Sequence, residues 1–271
     1  MIEVQNLTKR YGGHVAVNNI SFKVEEGEIL GFLGPNGAGK TTTMNILTGY
    51  ISASSGVAKI KDIDVLEQPN LAKMNIGYLP EQPPLYLDMT VREYLDFMYD
   101  LKKCKLPRRE HIAEICKQVK IENVYGRLIK NLSKGYKQRV GFAQALIGNP
   151  PVLILDEPVA GLDPAGRTHL MNMIGRLNRE GVTILLITHS MDDLAENARR
   201  VIVLKGARLL MDGTPAEVFA RQEELTAASL GVPCVAEIAA KLRARGKDIP
   251  KDIIQLDDLQ QYVENMLGGR P

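Results

Sequence analysis

The sequence has no tryptophan, only 5% aromatic residues and three cysteines in 271 positions. An odd number of cysteines (Cys104, Cys116, Cys234) without metal-ligand spacing argues against a disulfide framework and fits a reducing compartment. Neither sign of charge is in excess. The 34 Lys and Arg against 32 Asp and Glu leave a formal charge of +2, too near neutral to mark a nucleic-acid binder. Long hydrophobic runs are missing too. The longest strongly apolar stretch, Val182 to Thr188, is far short of the roughly 20 residues of a membrane-spanning helix. The opening MIEVQNLTKRY has no basic-then-apolar signal, which predicts a protein that is not exported. No repeat or low-complexity linker interrupts the chain. What is present is 45% hydrophobic and 24% charged residues, the balance of a folded chain with a sizeable core.

Hydropathy alternates with period two on both sides of Gly12-Gly13 and predicts two strands before the turn Glu26-Gly27. Ile29 to Leu33 reads as a short buried strand running into a Gly-rich loop and a helix. After a small-residue turn, Ser52 to Gly56, VAKIKDIDV alternates as one further strand. The chain thus opens with an antiparallel β layer beside a strand–loop–helix unit. From Thr90 the period turns helical, with Val91, Tyr94, Leu95 and Met98 on one face behind the capping box Thr90-x-x-Glu93. LKKCKLPRREHIAEICKQVK is basic and helical in its second half, and its Lys102–Arg109 stretch reads as a solvated helix face. VLILD and VTILLIT then return as buried strands. Asp163-Pro164 and Ser190-x-x-Asp193 are helix starts, RVIVLKGARLLMDG is a hairpin, and Thr214-Pro215-Ala216-Glu217 caps another helix. Val235, Ile238, Ala239 and Leu242, then Leu259, Tyr262, Val263 and Met266, give two amphipathic helices separated by GKDIPKD. Boundaries fall near 86, 146 and 219.

Gly34-Pro35-Asn36-Gly37-Ala38-Gly39-Lys40-Thr41 matches G-x-x-x-x-G-K-[ST], between a strand and a helix as that motif requires. Glycine lets backbone N–H groups approach phosphate oxygens, and the helix N-terminus adds a positive dipole end. Lys40 offers a point charge to the β/γ-phosphates and the Thr41 hydroxyl a ligand to Mg²⁺. From residue frequencies, a chance match somewhere in the chain is on the order of one in a hundred. Val152 to Glu157 is an apolar strand ending in two acids. Beside the phosphate loop in a parallel sheet, its carboxyl end is where a ligand sits, with Asp156 toward Mg²⁺ and Glu157 toward an attacking water. His189, at the end of the next strand, fits a γ-phosphate sensor, although a lone strand-end His is more often a structural hydrogen-bonder. Taken alone, Leu132 to Arg139 (LSKGYKQR) is an N-cap with a basic first turn; Ser133 with Gly135 there also makes a second anion-binding nest. Two such sites suggest two chains meeting head to tail, each covering the other's nucleotide.

The phosphate loop, LSKGYKQR and VLILDEP…GLDP, in that order, resemble the nucleotide-binding subunit of an ABC transporter over residues 1–218. The resemblance implies an α/β P-loop NTPase with a RecA-like core, an antiparallel β subdomain, a helical subdomain at about 86–145 and, at 219–271, a C-terminal helical extension of possible dimerising role. It implies that Tyr11 stacks on adenine, that Gly34 to Thr42 (Gly34, Pro35, Asn36, Gly37, Ala38, Gly39, Lys40, Thr41, Thr42) cradle ATP, and that Thr41, Gln82 and Asp156 serve Mg²⁺. Glu157, His189 and Gln82 become the catalytic set, Ser133 and Gly135 the signature that covers the partner's ATP, and Asp163 the D-loop aspartate, counted with the nucleotide-binding residues. One departure stands out: Lys134 and Tyr136 replace the second Gly and the Gln of the usual LSGGQ. Ser133 and Gly135 remain, so hydrolysis is expected to survive.

Up to about residue 150 the chain resembles ATPases serving drug, polysaccharide and gliding-motility exporters; from DEPVAGLDPAGR onward it resembles energy-coupling factor ATPases of vitamin and metal uptake. This change of likeness predicts a mosaic joined near the Walker B strand. The expected function is ATP hydrolysis by a homodimer or heterodimer that drives a separate permease. The protein would be peripheral to the cytoplasmic face of the cell membrane and would bind no nucleic acid. The Lys102–Arg109 stretch has the permease or anionic lipid as its alternative partner. A soluble ABC ATPase of ribosomes or DNA would resemble tandem cassettes or carry long coiled coils, neither of which is present. A scaffold without turnover would lack Glu157 or His189. The absence of N-K-x-D favours ATP over GTP.

Overall fold

The computed structural model describes residues 1–268, and its strands fall into two sheets. The alternating N-terminus forms β1 (Ile2–Tyr11) and β2 (His14–Val24), paired antiparallel from Ile2–Val24 to Tyr11–His14 across the glycine turn. Strand β3 (Ile29–Leu33) belongs to the other sheet and leads into α1 (Lys40–Leu47). β4 (Ser55–Ile60) returns to pair with β1. VAKIKDIDV is not one strand: Lys61 and Asp62 take φ of 49° and 65°, which turns the chain into the two-residue β5 (Ile63–Asp64). A short helix α2 (Pro69–Met74), which the sequence pattern did not predict, precedes β6 (Ile76–Leu79).

Helix α3 (Val91–Leu101) carries the expected capping box, with Thr90 N–H donating to the Glu93 carboxylate at 2.7 Å. α4 (Arg108–Val119) and α5 (Lys134–Leu146) complete this helical region. Within its basic stretch Lys103, Lys105, Arg108 and Arg109 are exposed, whereas Lys102 is not a solvated residue. The Lys102 amine donates to the carbonyls of Ala145 and Ile147 at the end of α5, and burial pulls its pKa down to about 8. Strand β7 (Val152–Asp156), helix α6 (Pro164–Arg179), β8 (Thr183–Ile187) and α7 (Met191–Asn197) follow. The hairpin β9 (Arg200–Lys205) and β10 (Arg208–Gly213) closes the larger sheet, ordered β10-β9-β3-β8-β7-β6 and parallel except for that hairpin.

Each central strand is buried on both faces, which is why it reads as a continuous apolar run. Leu185 and Ile187 of β8 pack toward α1 and the antiparallel sheet, with Leu30, Phe32 and Ile154. Ile184 and Leu186 pack toward the helices, with Leu33, Leu153 and Leu155. After α8 (Pro215–Ala220) and α9 (Gln222–Ala227), the tail forms α10 (Cys234–Ala244) and α11 (Leu256–Gly268). Ala239, Ile249, Ile253 and Leu259 make a small cluster there. The apolar faces of the tail are narrower than expected, since Ile238 and Met266 are exposed.

The end of α5 lies so close to β6 that a Cβ on Gly77 would fall 2.2 Å from the Ala145 carbonyl oxygen. Gly77→Ala is therefore expected to destabilise the fold by about 1–3 kcal/mol through overpacking. The measurement is the urea midpoint at unchanged m-value; an unshifted midpoint would disprove this contact.

Candidate nucleotide-binding site

Strand β3 ends at Leu33 and α1 begins at Lys40, so six residues reverse the chain. Gly39 holds φ 105°, and a Cβ there would lie 2.6 Å from the carbonyl oxygen of Ala16 on β2. Only glycine permits that approach. The first N–H groups of α1 have no intrahelical acceptor, and they bring the positive end of the helix dipole to the loop. Lys40 Nζ donates to the carbonyls of Gly34 and, at 3.2 Å, Pro35. Burial lowers its proton affinity, while Asp156 and Glu157 act in the opposite sense.

A cavity of about 300 Å³ opens on this loop, lined by residues 36–42 with Tyr11, His14, Glu81, Asp156, Glu157 and His189. The acid pair is not on the strand adjoining β3, as the sequence suggested: β8 lies between β3 and β7. The crossover through α6 inserts that strand, and both strand ends still reach the cavity. Burial foremost, then Glu157 and Glu81, push Asp156 up to about 6, against the pull of Lys40 and His189. Burial also raises Glu157 above the usual carboxylate range, although hydrogen bonds oppose it. Its Oε1 accepts the His189 main-chain N–H at 2.6 Å, and its Oε2 the Thr188 hydroxyl at 3.3 Å. The His189 ring stands beside the same carboxylate, with Nε2 3.8 Å from Oε1.

The expected residues divide into groups. Tyr11 lies half-exposed at the rim, with the Lys9 amine 5.1 Å from its ring centre. Gly34 and Pro35 serve through their carbonyls rather than as lining. Gln82 does not enter this cavity: Glu81 does, and Gln82 lines a separate apolar groove instead. Counting on from the Leu79–Leu155 pair of β6 and β7 puts Glu81 level with Glu157, a register that PEQPP alone does not reveal. Ser133, Gly135 and Asp163 do not line the cavity either. They sit at neighbouring helix starts. Ser133 Oγ accepts the Tyr136 N–H at 3.4 Å, Asp163 Oδ1 accepts the Gly166 N–H at 2.9 Å, and a Cβ on Gly135 would meet the Gly161 carbonyl at 3.1 Å. Of the two unusual residues beside them, Lys134 lays its methylenes on Gly161, and the Tyr136 hydroxyl accepts from the Asn123 amide at 2.9 Å.

The donors facing the loop, a Thr41 hydroxyl with the Asp156 and Glu81 carboxylates, are hard oxygens of the kind Mg²⁺ takes. Among the described residues no group of three His, Cys, Asp or Glu is placed to hold a metal unaided. The set therefore fits an ion that keeps waters and shares its shell with phosphate oxygens.

A phosphate loop at the carboxyl edge of a parallel sheet, facing paired acids, defines a P-loop nucleoside triphosphatase. Residues 17–160 match the family model described as ABC transporter, and the chain belongs to that family as an ATP-binding, ATP-hydrolysing subunit. It is 35% identical over 263 residues to the energy-coupling factor transporter ATP-binding protein EcfA2 of Symbiobacterium thermophilum, covering 94% of this chain and 91% of that protein. It is 33% identical over 223 residues to the lipopolysaccharide export system ATP-binding protein LptB of Haemophilus influenzae, covering 81% of this chain and 92% of that one. A dimeric ATP-binding cassette, solved in a post-hydrolysis state with ADP and Pi, matches with a TM-score of 0.73 at 26% identity, over 79% of this chain and 99% of that one. Likenesses to an energy-coupling factor transporter subunit and to an export-system subunit are thus both present, and at this coverage each match runs across residue 150.

The carboxyl group of Asp156 stabilises the fold while protonated, and this contribution is lost as pH rises from near 4 through about 6. In protein free of metal and nucleotide, Asp156→Asn should therefore raise stability at pH 8, by about 1–2 kcal/mol after allowance for solvent. The gain should shrink toward pH 5. Urea midpoints at the two pH values measure it, and an equal gain at both would contradict the burial of this charge.

Proposed function

We propose that the chain works as half of a dimer that closes over two ATP molecules and drives a membrane permease. One observation carries this reading. Within a single chain the phosphate loop lines a cavity, while the second anion-binding element, Ser133 and Gly135 with Asp163 beside it, lies outside that cavity. A second subunit, identical or related, set head to tail brings its Ser133 and Gly135 onto the exposed phosphates of the first.

In this reading Tyr11 stacks on the adenine, and the N–H groups of residues 36–42 bind the β- and γ-phosphates. Lys40 turns its amine from the Gly34 and Pro35 carbonyls onto the same phosphates. Thr41 and Asp156, with Glu81 in the place expected for Gln82, hold Mg²⁺. When bound, that ion offsets phosphate charge and fixes the triphosphate geometry. Glu157, made more basic by burial, takes a proton from the attacking water, and the His189 ring beside it faces the γ-phosphate. Asp163 serves at the interface between the subunits.

The groove that holds Gln82 supports the permease contact. Tyr50, Pro83, Tyr86, Phe97 and Leu101 line an apolar cavity of about 700 Å³, and Tyr50 is 80% exposed. A groove of this kind takes an amphipathic helix end. No described helix is long and apolar enough to cross a membrane, so membrane association would come through the permease, on the cytoplasmic face. Residues 1–218 are proposed as the nucleotide-binding domain, with its helical part at about 86–145, and 219–271 as a dimer-stabilising extension. The energy-coupling factor relative covers 94% of this chain against 81% for the export relative, which favours a second reading, uptake of vitamins or metal ions.

Lys40→Ala should weaken ATP binding about tenfold to a hundredfold, the worth of charge-assisted hydrogen bonds. Glu157→Gln should keep ATP binding and lose at least about a hundredfold in turnover. The solution mass of Glu157→Gln should double only with Mg-ATP, and adding Ser133→Arg should keep it monomeric while ATP still binds. Doubling that survives Ser133→Arg would refute the head-to-tail arrangement.

A further inference from the structure

Gln138 lies in α5, five residues after its cap Ser133, and is only 2% exposed. It shares the buried face of that helix with Gly141, Phe142 and Ala145. A primary amide there needs a partner. Its Nε2 donates at 3.2 Å to the main-chain carbonyl oxygen of Glu157. That residue has φ 47°, in the left-handed region, where a non-glycine residue persists only when its surroundings hold it. Four other bonds hold it, three of them to β8 or the residues just after it and the fourth from the Ala160 N–H, which donates to the same Glu157 carbonyl at 3.0 Å. The Glu157 N–H donates to the Ile187 carbonyl at 2.9 Å, and the carboxylate accepts from the His189 N–H and the Thr188 hydroxyl. Gln138 adds a second donor to that carbonyl, and it alone of these groups comes from α5.

We propose that Gln138 is a positioning residue for hydrolysis, holding the Glu157 carbonyl so that the strained backbone aims its carboxylate at the attacking water. It does so from the helix whose first turn, Ser133 to Gly135, meets the partner's ATP in the dimer described above. The inference rests on that reading. Its consequence is that a shift of α5 on meeting the opposing nucleotide is felt at the Glu157 backbone through the Gln138 side chain. One bound ATP then tunes the hydrolytic carboxylate serving the other. This gives the coupling a physical element rather than a statistical path.

The test pairs Gln138→Met, equally long and without a donor, with Gln138→Asn, which keeps the amide but falls a methylene short. Both should lower kcat about tenfold or more, as expected for small misplacements of a catalytic group. KM and the Kd for Mg-ATP should stay within about twofold, and the urea midpoint should stay near that of the unaltered protein. In a Glu157→Gln background neither change should reduce the residual turnover further. If Glu157→Gln alone retains full turnover, the reading of Glu157 fails and Gln138 falls with it. If Glu157→Gln stops turnover but both Gln138 variants keep full kcat, the positioning role alone is overturned. A loss of kcat matched by equal losses in ATP affinity and stability marks a merely structural amide and overturns it as well.

Discussion

Negative charge gathered at one edge of the larger sheet is the constraint that the rest of the molecule accommodates. The ends of β6 and β7 bring Glu81, Asp156 and Glu157 to one cavity, where a single lysine side chain, Lys40, stands close by. Burying carboxylates together is costly. The fold tolerates it with the help of fixed dipoles: the start of α1, the His189 N–H and the Thr188 hydroxyl. Such a site is complementary to a ligand that carries its own cation together with phosphate oxygens, which is what Mg-ATP brings.

That complementarity requires stiffness, and the sheet supplies it. Because alternate residues of β3, β7 and β8 feed two separate hydrophobic clusters, no central strand can shift without disturbing packing on both sides. Apart from those of the β1–β2 hairpin, the cavity residues stand at or just past the ends of these strands and of β6, in the phosphate loop and at the first turn of α1. They inherit the rigidity of the core while remaining open to ligand.

How much of this was legible in the sequence depends on how local each cause is. The phosphate loop, the capping boxes at Thr90 and Thr214, the caps at Asp163 and Ser190, and the buried strands were readable, since each is decided within a few residues. The break at Lys61-Asp62 was not, because two polar residues in an alternating run look like a solvated face until their backbone is seen. Choosing Glu81 over Gln82 needs the register of β6 against β7. The placing of β8 between β3 and β7 needs the whole crossover. Gln138 was missed although a signal existed: Phe142 and Ala145, four and seven positions on, mark its helix face as buried, and a polar residue on such a face calls for a partner.

The tail joins the body by a pattern with mechanical meaning. Ala236 and Ile254 belong to the large helical-side cluster, while four residues make the tail's own small core. Two hydrogen bonds run from it to α7, the helix that starts just after His189. The Cys234 N–H donates to Asp192 at 2.8 Å and the Gln255 amide to the Ala195 carbonyl at 2.9 Å. So slight a core gives the tail a low local opening energy compared with the sheet behind it. A segment with so small a core of its own is therefore clipped to the helix that starts beside His189 at the cavity. Whatever captures the tail from outside takes hold of a handle on that helix.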